Sequence, residues 1–338
     1  MKATQAKSIA VLGDGGWGTT LAIHLHRLGH RVRWWGAFAD YVKVLDRRRE
    51  NPKFLPGIRI PRTLPVTADL AQAVEAAQLV VLAVPSQYVR AVLQRLQRVW
   101  SPTSSVRPVF LSVVKGLERD SLKRVSEVIA EELGGVPLAV FSGPNIAAEI
   151  ARGHPASSVV ASQDPELPPD IQRAFTSNRL RLYTSSDVIG VELGGALKNP
   201  VAIAAGIGDG LGFGANAKAA LITRGIVEMA RLGVAMGARE ETFWGLSGLG
   251  ELITTCLSGR NRWLGEQLGR GRPLKRVLAS TPMVIEGVET SMAAVELGRR
   301  CGVELPIIEQ VHAILFRRRS PRQALQALML RAGKAEFP

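Results

Sequence analysis

The chain has 338 residues, of which 46% are hydrophobic and 21% are charged, and this composition excludes an intrinsically disordered protein. A chain of this length can bury a core without metal or disulfide staples and is expected to form about two domains. Lys and Arg outnumber Asp and Glu by 43 to 29, and the net charge of +14 favours anionic partners such as nucleic acid, a membrane surface or a phosphorylated metabolite.

Two of these partner classes are disfavoured by the distribution of residues. The basic residues are spread along the chain and aromatic residues make up only 5%, so no basic groove with stacking rings is indicated. The apolar run behind Lys7 covers only residues 9–12, which is too short for a signal peptide, and the long apolar segment 188–208 contains Glu192 and Lys198. We therefore expect no membrane span and no nucleic-acid partner. Because two cysteines are too few for a disulfide scaffold, a reducing compartment is favoured, and we expect a soluble, cytoplasmic protein.

The first half of the chain alternates apolar runs with helical stretches. A run at 8–12 meets glycines and is followed by a predicted helix at 19–28. Further apolar runs cover residues 30–35, 79–84, 109–114 and 138–141, and two more candidates lie at 157–161 and 180–184. Strands that are apolar throughout are typical of a parallel sheet covered on both faces. We therefore predict an α/β, doubly wound (Rossmann) domain over residues 1–187, with the last two strands extending the sheet at its far edge.

The second half shows only helical periodicity. The predicted helices cover residues 188–205, 217–236, 288–301 and 307–316. Asp187 follows a run of Ser and Thr and is a candidate N-cap, so we place the boundary there and predict an all-helical domain over residues 188–338. Glycines alternate with other residues over 206–214, and because glycine is costly inside a helix we expect a loop there, either plain or shaped to approach the active site.

A glycine motif lies between the first strand and the first helix. Gly13, Gly15 and Gly18 form the pattern G-x-G-x-x-G. In this context the first glycine permits a sharp turn, the second leaves room for a pyrophosphate, and the third lets the helix approach the strand. Free amide groups and the helix dipole then face the anion. The motif predicts binding of a dinucleotide cofactor.

The choice between NAD and NADP depends on the end of the second strand. An acid at that point would bind the ribose 2′-hydroxyl and repel a 2′-phosphate. The strand ends at Trp35, and no acidic residue follows before Asp40. No arginine follows immediately either, so Arg33 or Arg47 would supply a cation only if the fold brings it near. We expect NADP or NAD as cofactor, with NADP slightly favoured.

Three polar residues stand out beside apolar segments. Lys115 and Asn145 each follow a predicted strand, where ligands of an open α/β sheet gather. Lys198 lies inside an apolar helix. A lysine there would either extend its methylene groups so that its charge lies in solvent, or be buried in a functional role. Its apolar neighbours favour burial. These residues are the candidate substrate site.

Over essentially its whole length, the chain resembles the NAD(P)-dependent glycerol-3-phosphate dehydrogenases of the bacterial type. The matching stretches are GDGGWGTTLA, NPKFLPGIRIP, AVPS, KGLE, SGPNIAAE, GVELGGALKNPVAIAAGIGDGLGFGANAKAALITRG, GLSGLGELITTC, GRNR and VIEGVET. The GALKN and ALITRG blocks are specific to this family. The resemblance implies an oxidoreductase that interconverts sn-glycerol 3-phosphate and dihydroxyacetone phosphate and supplies glycerol 3-phosphate for phospholipid synthesis. It also implies a homodimer.

The resemblance further implies roles for individual residues. Lys198 would donate or accept the proton at the C2 oxygen, because hydride transfer to a ketone requires one positioned acid or base. The residues implied to contact the substrate are Lys115, Gly143, Asn145, Lys198, Glu251, Thr255, Arg260 and Asn261. The residues implied to contact the cofactor are Gly13, Gly15, Gly16, Trp17, Gly18, Lys115, Ala147, Arg260, Val284 and Glu286. No metal is expected.

This chain departs from the family pattern at several positions. Glu251 stands where the family has aspartate, so if that acid orients Lys198, its extra methylene must be absorbed elsewhere. Asn145 stands at a position usually held by Ser or Thr, and Ala37 at one usually held by Arg. The loop before Arg260 is shorter than in most bacterial members and resembles the animal cytosolic branch, which is why Thr255 is included.

Two alternative functions remain open at this point. One is another Rossmann-plus-helical dehydrogenase, of the β-hydroxyacid or 6-phosphogluconate type, which would act on a carboxylate substrate. The other is a catalytically silent dinucleotide sensor that binds a protein or nucleic acid. An assay of dihydroxyacetone phosphate against 3-hydroxy acids separates the first from our interpretation, and DNA binding without NAD(P)H oxidation would support the second.

Overall fold

The computed structural model describes residues 5–100, 107–333 and 335–336. The strands are β1 Ser8–Leu12, β2 Arg31–Trp35, β3 Glu50–Asn51, β4 Leu55–Arg59, β5 Val66–Thr67, β6 Leu79–Leu82, β7 Val109–Ser112, β8 Leu138–Ser142, β9 Ala156–Ala161 and β10 Leu180–Ser185. The helices up to the start of the second half are α1 Gly16–Arg27, α2 Ala39–Arg48, α3 Leu70–Val74, α4 Val89–Val99, α5 Val125–Leu133, α6 Ala147–Ala151 and α7 Leu167–Phe175. The later helices are α8 Val188–Gly210, α9 Ala215–Ala235, α10 Glu240–Trp244, α11 Glu251–Leu257, α12 Arg260–Gly269, α13 Leu274–Ala279, α14 Glu286–Cys301, α15 Pro306–Phe316 and α16 Pro321–Met329.

Eight strands form one sheet in the order β10-β9-β8-β7-β6-β1-β2-β5. Neighbouring strands are parallel except β8 and β9, which are antiparallel. The predicted doubly wound sheet is confirmed, and the two late strands extend it at one edge as expected. The antiparallel pair was not predicted. It arises because residues 143–155 return the chain to β9 at the end of the sheet where β8 finishes.

The strand order reverses beside β1, whose neighbours are β2 on one side and β6 on the other. Such a reversal opens a crevice at the carboxyl ends of the strands, where open α/β folds bind their ligands. Along β1, Ile9 and Val11 pack into one hydrophobic cluster, whereas Ala10 and Leu12 pack into the cluster on the opposite face. This burial on both faces explains the continuous apolar runs from which the strands were predicted.

Three short strands were missed by sequence reasoning. The antiparallel pair β3 and β4 and the edge strand β5 lie between α2 and α3. β3 and β5 each contain two residues, and β4 contains a proline and a glycine. Elements this short carry no readable period, so only pairing with a neighbour defines them.

Within the described part of residues 188–336, the regular elements are all helices. Asp187 accepts a hydrogen bond from Gly190 N at 2.8 Å and is the N-cap of α8, as predicted. We propose that the two domains meet there, as 1–187 and 188–338, ranges that include residues 1–4, 101–106, 334 and 337–338 outside the described part. By length and composition α8 is apolar enough to cross a membrane, but 83% of its most apolar window is buried inside the protein. It packs chiefly against α12, α9, α11 and α14.

The expectation of a loop at residues 206–214 was wrong for its first half, because α8 continues as a helix to Gly210. The reason is the close approach of α12. A β-carbon on Gly206 would lie 1.9 Å from the carbonyl oxygen of Arg262, and one on Gly210 would lie 2.4 Å from that of Glu266. The glycines are therefore needed where two helices touch backbone to backbone, and this tertiary contact outweighs their low helix propensity.

Candidate active site

The glycine turn follows β1 at the crevice. Gly13 has a φ of 130°, and a β-carbon there would lie 2.5 Å from the carbonyl oxygen of Ala83. A β-carbon on Gly18 would lie 2.1 Å from the carbonyl oxygen of Gly13, whereas nothing lies within 4 Å of the same position on Gly15. Gly13 and Gly18 therefore permit tight packing, and Gly15 leaves open space beside the first turn of α1. This open space at a helix N-terminus fits the pyrophosphate of a dinucleotide.

The residues after the turn line the same crevice. A β-carbon on Gly16 would lie 2.6 Å from the carbonyl oxygen of Phe54 and 3.8 Å from Ala147 Cβ. The Trp17 ring lies 6.0 Å from the Phe141 ring, centroid to centroid, and its Nε1 is buried without a hydrogen-bond partner in the described part of the protein. Gly16 and Ala147 are therefore neighbours beside the glycine turn, and Trp17 packs against β8.

A buried set of charged side chains lies at the carboxyl ends of β7 and β8, with Glu251 between two lysines. One carboxylate oxygen of Glu251 contacts Lys198 Nζ and the other contacts Lys115 Nζ. The Gly143 amide also donates a hydrogen bond to Glu251 Oε1 at 3.0 Å. Lys198 is 7% exposed and Glu251 is 1% exposed, so the predicted burial of Lys198 is confirmed. The arrangement holds two cations against one anion away from bulk water.

Burial and mutual charge shift the pKa values of this cluster. Burial, opposed by the charge of Glu251 and assisted by that of Lys198, lowers the pKa of Lys115 to about 8. For Glu251, burial alone would raise the pKa, but the two lysine charges and their hydrogen bonds outweigh it and lower the pKa. Glu251 is therefore ionised at neutral pH.

Glycines of α8 bring Lys198 to this position. A β-carbon on Gly194 would lie 2.4 Å from the carbonyl oxygen of Ser247, and one on Gly195 would lie 2.7 Å from Ser142 Oγ. Through these two residues α8 packs directly against the end of β8 and against the π-helical turn Leu246–Gly250 that precedes Glu251. Lys198 follows within one turn of the helix and so reaches the carboxyl ends of the strands.

Asn261 does not point freely into the site but holds the backbone behind Lys115. Its Nδ2 donates to Asn199 Oδ1 at 2.8 Å, and Asn199 Nδ2 donates to the carbonyl oxygen of Lys115 at 2.9 Å. Asn261 Oδ1 accepts a hydrogen bond from Gly287 N at 3.0 Å. Asn199 was not among the site residues chosen from the sequence, although it directly follows Lys198 inside an apolar helix, which was the available signal.

The remaining predicted residues surround the lysines. Asn145 Oδ1 accepts a hydrogen bond from Lys115 Nζ. Thr255 is half-buried one helical turn after Glu251 and so lies on the same face of α11. Arg260 is exposed at the start of α12 and donates to the carbonyl oxygen of Val284 at 2.9 Å.

Glu286 lies close to this group at the start of α14. A β-carbon on Gly116 would lie 3.4 Å from Glu286 Oε2. Burial raises the pKa of Glu286, and the charge of Arg260 opposes that effect. Among the described residues, no group of three or more His, Cys, Asp or Glu side chains could hold a metal ion.

Comparison with known proteins places this architecture in one family. The family model for the N-terminus of NAD-dependent glycerol-3-phosphate dehydrogenase matches residues 8–168, and that for the C-terminus matches residues 187–326. The chain belongs to this family. A glycerol-3-phosphate dehydrogenase [NAD(P)+] of Syntrophotalea carbinolica is 46% identical over 335 residues, which cover 98% of this chain and 99% of the relative.

Other relatives agree with this assignment. The corresponding protein of Geobacillus thermodenitrificans is 45% identical over 336 residues, covering 98% of this chain and 97% of the relative. A solved glycerol-3-phosphate dehydrogenase of Coxiella burnetii superposes with a TM-score of 0.91 at 38% identity, covering 96% of this chain and 99% of that one. The resemblance stated from the sequence is confirmed, and the chain is an oxidoreductase of the NAD(P)-dependent glycerol-3-phosphate dehydrogenase class.

Proposed function

We propose that the protein reduces dihydroxyacetone phosphate to sn-glycerol 3-phosphate with Lys198 as the proton donor, and that the product feeds glycerophospholipid synthesis. The observation that carries this proposal is the buried pair of lysines on one carboxylate, at the carboxyl ends of β7 and β8 in the sheet that also carries the glycine turn. Dihydroxyacetone phosphate combines a ketone with a phosphate dianion. The two lysines can offer one positive charge to the ketone oxygen and one to the phosphate.

The glycine turn, Gly16, Trp17 and Ala147 would hold one side of the cofactor, and Val284 and Glu286 the other. The bound nicotinamide supplies the hydride that the substrate C2 carbon requires. The chain's own task is then to place a proton donor at the C2 oxygen. The Lys198 ammonium does this by a hydrogen bond to the carbonyl oxygen, which it polarises and then protonates. In the oxidation direction the neutral amine takes the proton back.

The other residues bind and orient the substrate. Arg260 contributes a planar guanidinium to the phosphate, and its fork geometry gives two parallel hydrogen bonds. Lys115, Gly143 and Asn145 form the inner surface of the same pocket, and Thr255 lies at its edge. Glu251 fixes the position of both lysine side chains. The aspartate of other family members is one methylene shorter, and here the longer side chain reaches both ammonium groups.

The proposal is tested by replacing Lys198 with alanine and following NADH and NADPH oxidation with dihydroxyacetone phosphate. We expect turnover to fall at least 1000-fold while the dissociation constant for the reduced cofactor changes less than threefold. Lys275→Ala removes an exposed lysine on α13 and is the matched control, for which no change is expected. An unchanged kcat in the Lys198 variant would refute the proposed proton donor.

The phosphate assignment is tested separately with Arg260→Ala. The variant should raise KM for dihydroxyacetone phosphate at least tenfold, far more than it raises KM for the nucleotide, because the proposal assigns the guanidinium to the substrate phosphate. Equal effects on both ligands would refute a role centred on the phosphate. Dihydroxyacetone without phosphate serves as a control, since its weak turnover should not change further in the variant.

We also propose that the protein works in the cytoplasm as a homodimer. Apolar side chains cluster on the surface at the end of α16, where Met329 and Leu330 are each 75% exposed and Leu325 is 37% exposed. Such a patch supports a contact between copies, because burying it removes apolar surface from water. Light scattering after size exclusion should give twice the 36.4 kDa chain mass, and Met329→Glu should reduce it to the monomer mass.

A further inference from the structure

The end of β2, on the adenosine side of the cofactor site, lacks the acidic residue that NAD-binding folds carry there. After Trp35 come Gly36, Ala37 and Phe38, none of which has a charge. In dinucleotide folds an acid at this point binds the ribose 2′-hydroxyl and repels a 2′-phosphate. From the strand end alone, discrimination in favour of NAD is therefore not expected.

The structure places a carboxylate at this strand end from a different element. Asp14 lies inside the glycine turn, between Gly13 and Gly15, and its side chain extends towards the end of β2. A β-carbon on Gly36 would lie 2.8 Å from Asp14 Oδ2 and 2.8 Å from Val42 Cγ2. The absence of a side chain at Gly36 is thus what makes room for the Asp14 carboxylate against this strand end.

Among the residues that the structure describes, Asp14 Oδ2 makes no hydrogen bond that holds the turn. The turn is fixed through the backbone, because Asn51 Nδ2 donates to the carbonyl oxygen of Asp14 at 2.8 Å and also to Thr19 Oγ1 at 2.8 Å. Asp14 Oδ2 is buried and has no hydrogen-bond partner in the described part of the chain, while the residue as a whole keeps a partly exposed surface. A buried acceptor without a partner is unusual and indicates a function other than stabilising the fold.

Arg33, a candidate cation for a 2′-phosphate, is engaged by other groups. Arg33 Nη1 donates to Glu75 Oε2 at 2.8 Å and to the carbonyl oxygen of Gln72 at 2.8 Å. Arg47 is exposed near the end of α2. Lys53 is close enough for its charge to act on the Asp14 carboxyl, and its Nζ lies 4.9 Å from the centroid of the Phe54 ring.

We propose that Asp14 determines cofactor choice in this protein and selects NAD(H) over NADP(H). Its carboxylate replaces the missing acid of β2, attracts the free 2′-hydroxyl of the NAD ribose and repels the dianionic 2′-phosphate of NADP. The inference rests on the proposed function only in that both use the same cofactor crevice. It reverses the slight preference for NADP that the strand end indicates.

The experiment compares Asp14→Asn with the wild type, using kcat/KM for NADH and for NADPH with dihydroxyacetone phosphate. We expect the wild type to favour NADH at least tenfold. In the variant the ratio of NADPH to NADH efficiency should rise at least tenfold, through the KM for each nucleotide rather than through kcat. The matched control is Asp40→Asn, because the Asp40 side chain is 98% exposed on the next helix and should leave the ratio unchanged.

Two outcomes would overturn the inference: an equal loss with both nucleotides, which is what a purely structural role produces, or a shift of the ratio in the Asp40 variant alone. Calorimetric binding of NADH and NADPH without substrate provides a second readout that does not require turnover. If the Asp14-dependent preference appears in binding but dihydroxyacetone phosphate is not reduced, the inference stands and the proposed function fails. If reduction proceeds with no Asp14-dependent preference in binding, the reverse holds.

Discussion

Two buried carboxylates in the helical half of the protein are held in different ways. Glu251 lies between two lysine ammonium groups at the crevice. Glu228 lies on α9 away from the crevice and accepts hydrogen bonds from Ile307 N at 2.8 Å and Ile308 N at 3.3 Å, at the first turn of α15. Both side chains are removed from water, but only the first has cations as partners.

The pKa values of the two groups move in opposite directions. Burial raises the pKa of Glu228 to about 7, because two backbone amides do not compensate for the lost hydration. At Glu251 the two lysines overcome the same effect and lower the pKa. Of these two buried carboxylates, the one whose pKa is lowered is the one that cations surround, and those cations lie where the substrate is expected. Four experiments test this difference.

The largest effect is expected for Glu251→Gln, which removes the charge between the lysines while keeping the size of the side chain. Two buried ammonium groups would then lack a counter-ion, which should lower the free energy of unfolding by about 3 to 5 kcal/mol. We expect kcat to fall about 100- to 1000-fold by steady-state assay, with little change in cofactor binding. Glu251→Asp should recover most of the activity, whereas Glu336→Gln, at an exposed site, should change nothing. A Gln variant with wild-type kcat would contradict the positioning role.

A second prediction concerns Glu192, a buried carboxylate with one arginine partner. Arg124 Nη1 donates to Glu192 Oε2 at 2.8 Å and Ser126 N donates to Glu192 Oε1 at 2.8 Å, which joins α5 to α8. Arg124→Met leaves this carboxylate uncompensated and should lower the free energy of unfolding by about 3 kcal/mol in urea titrations. Adding Glu192→Gln should restore most of the loss. If the double variant is no more stable than the single one, unpaired charge is not the cause.

Much of the fold was predictable because its signals are local. The strands β1, β2 and β6 to β10 were predicted within two residues. For β1 and β6 to β8 the reason is that strands buried on both faces are apolar almost throughout. Helix α8 beyond Ala205 was not predictable, because its glycines are explained by contact with α12 and not by their neighbours in sequence.

The candidate site divides in the same way. Lys115 and Lys198 were recognisable as polar residues beside apolar segments. That one carboxylate, Glu251, contacts both lysines depends on packing between three distant elements, which no spacing in the sequence reveals. The position of the Asp14 carboxylate against Gly36 is of the same kind, since it depends on the approach of the glycine turn to the end of β2.

A third prediction uses the titration of Lys115. Its pKa is lowered to about 8 by burial and by Lys198, so the ammonium is present below pH 8 and is lost as the pH rises above it. If this charge binds the anionic substrate as we propose, KM for dihydroxyacetone phosphate should rise up to about tenfold per pH unit above pH 8. The profile is measured between pH 6.5 and 9.5 at saturating cofactor. Lys275→Ala should follow the wild type, and a flat KM up to pH 9.5 would contradict the assignment.

The smallest effect is expected at Glu228, and it concerns stability alone. A carboxyl group whose pKa rises from 4.5 to about 7 on folding adds most to the free energy of unfolding below pH 4.5. This contribution is lost as the pH rises through 7. Glu228→Gln cannot ionise and still offers an oxygen to the α15 amides, but it loses the stronger hydrogen bonds of the charged form. We therefore expect a gain of about 1 kcal/mol in the free energy of unfolding at pH 8 and none at pH 4.5. Urea titrations at both pH values measure it, with Glu336→Gln as control. A gain of equal size at both pH values would show that ionisation of Glu228 is not responsible, and the contrast with Glu251 would then rest on the lysines alone.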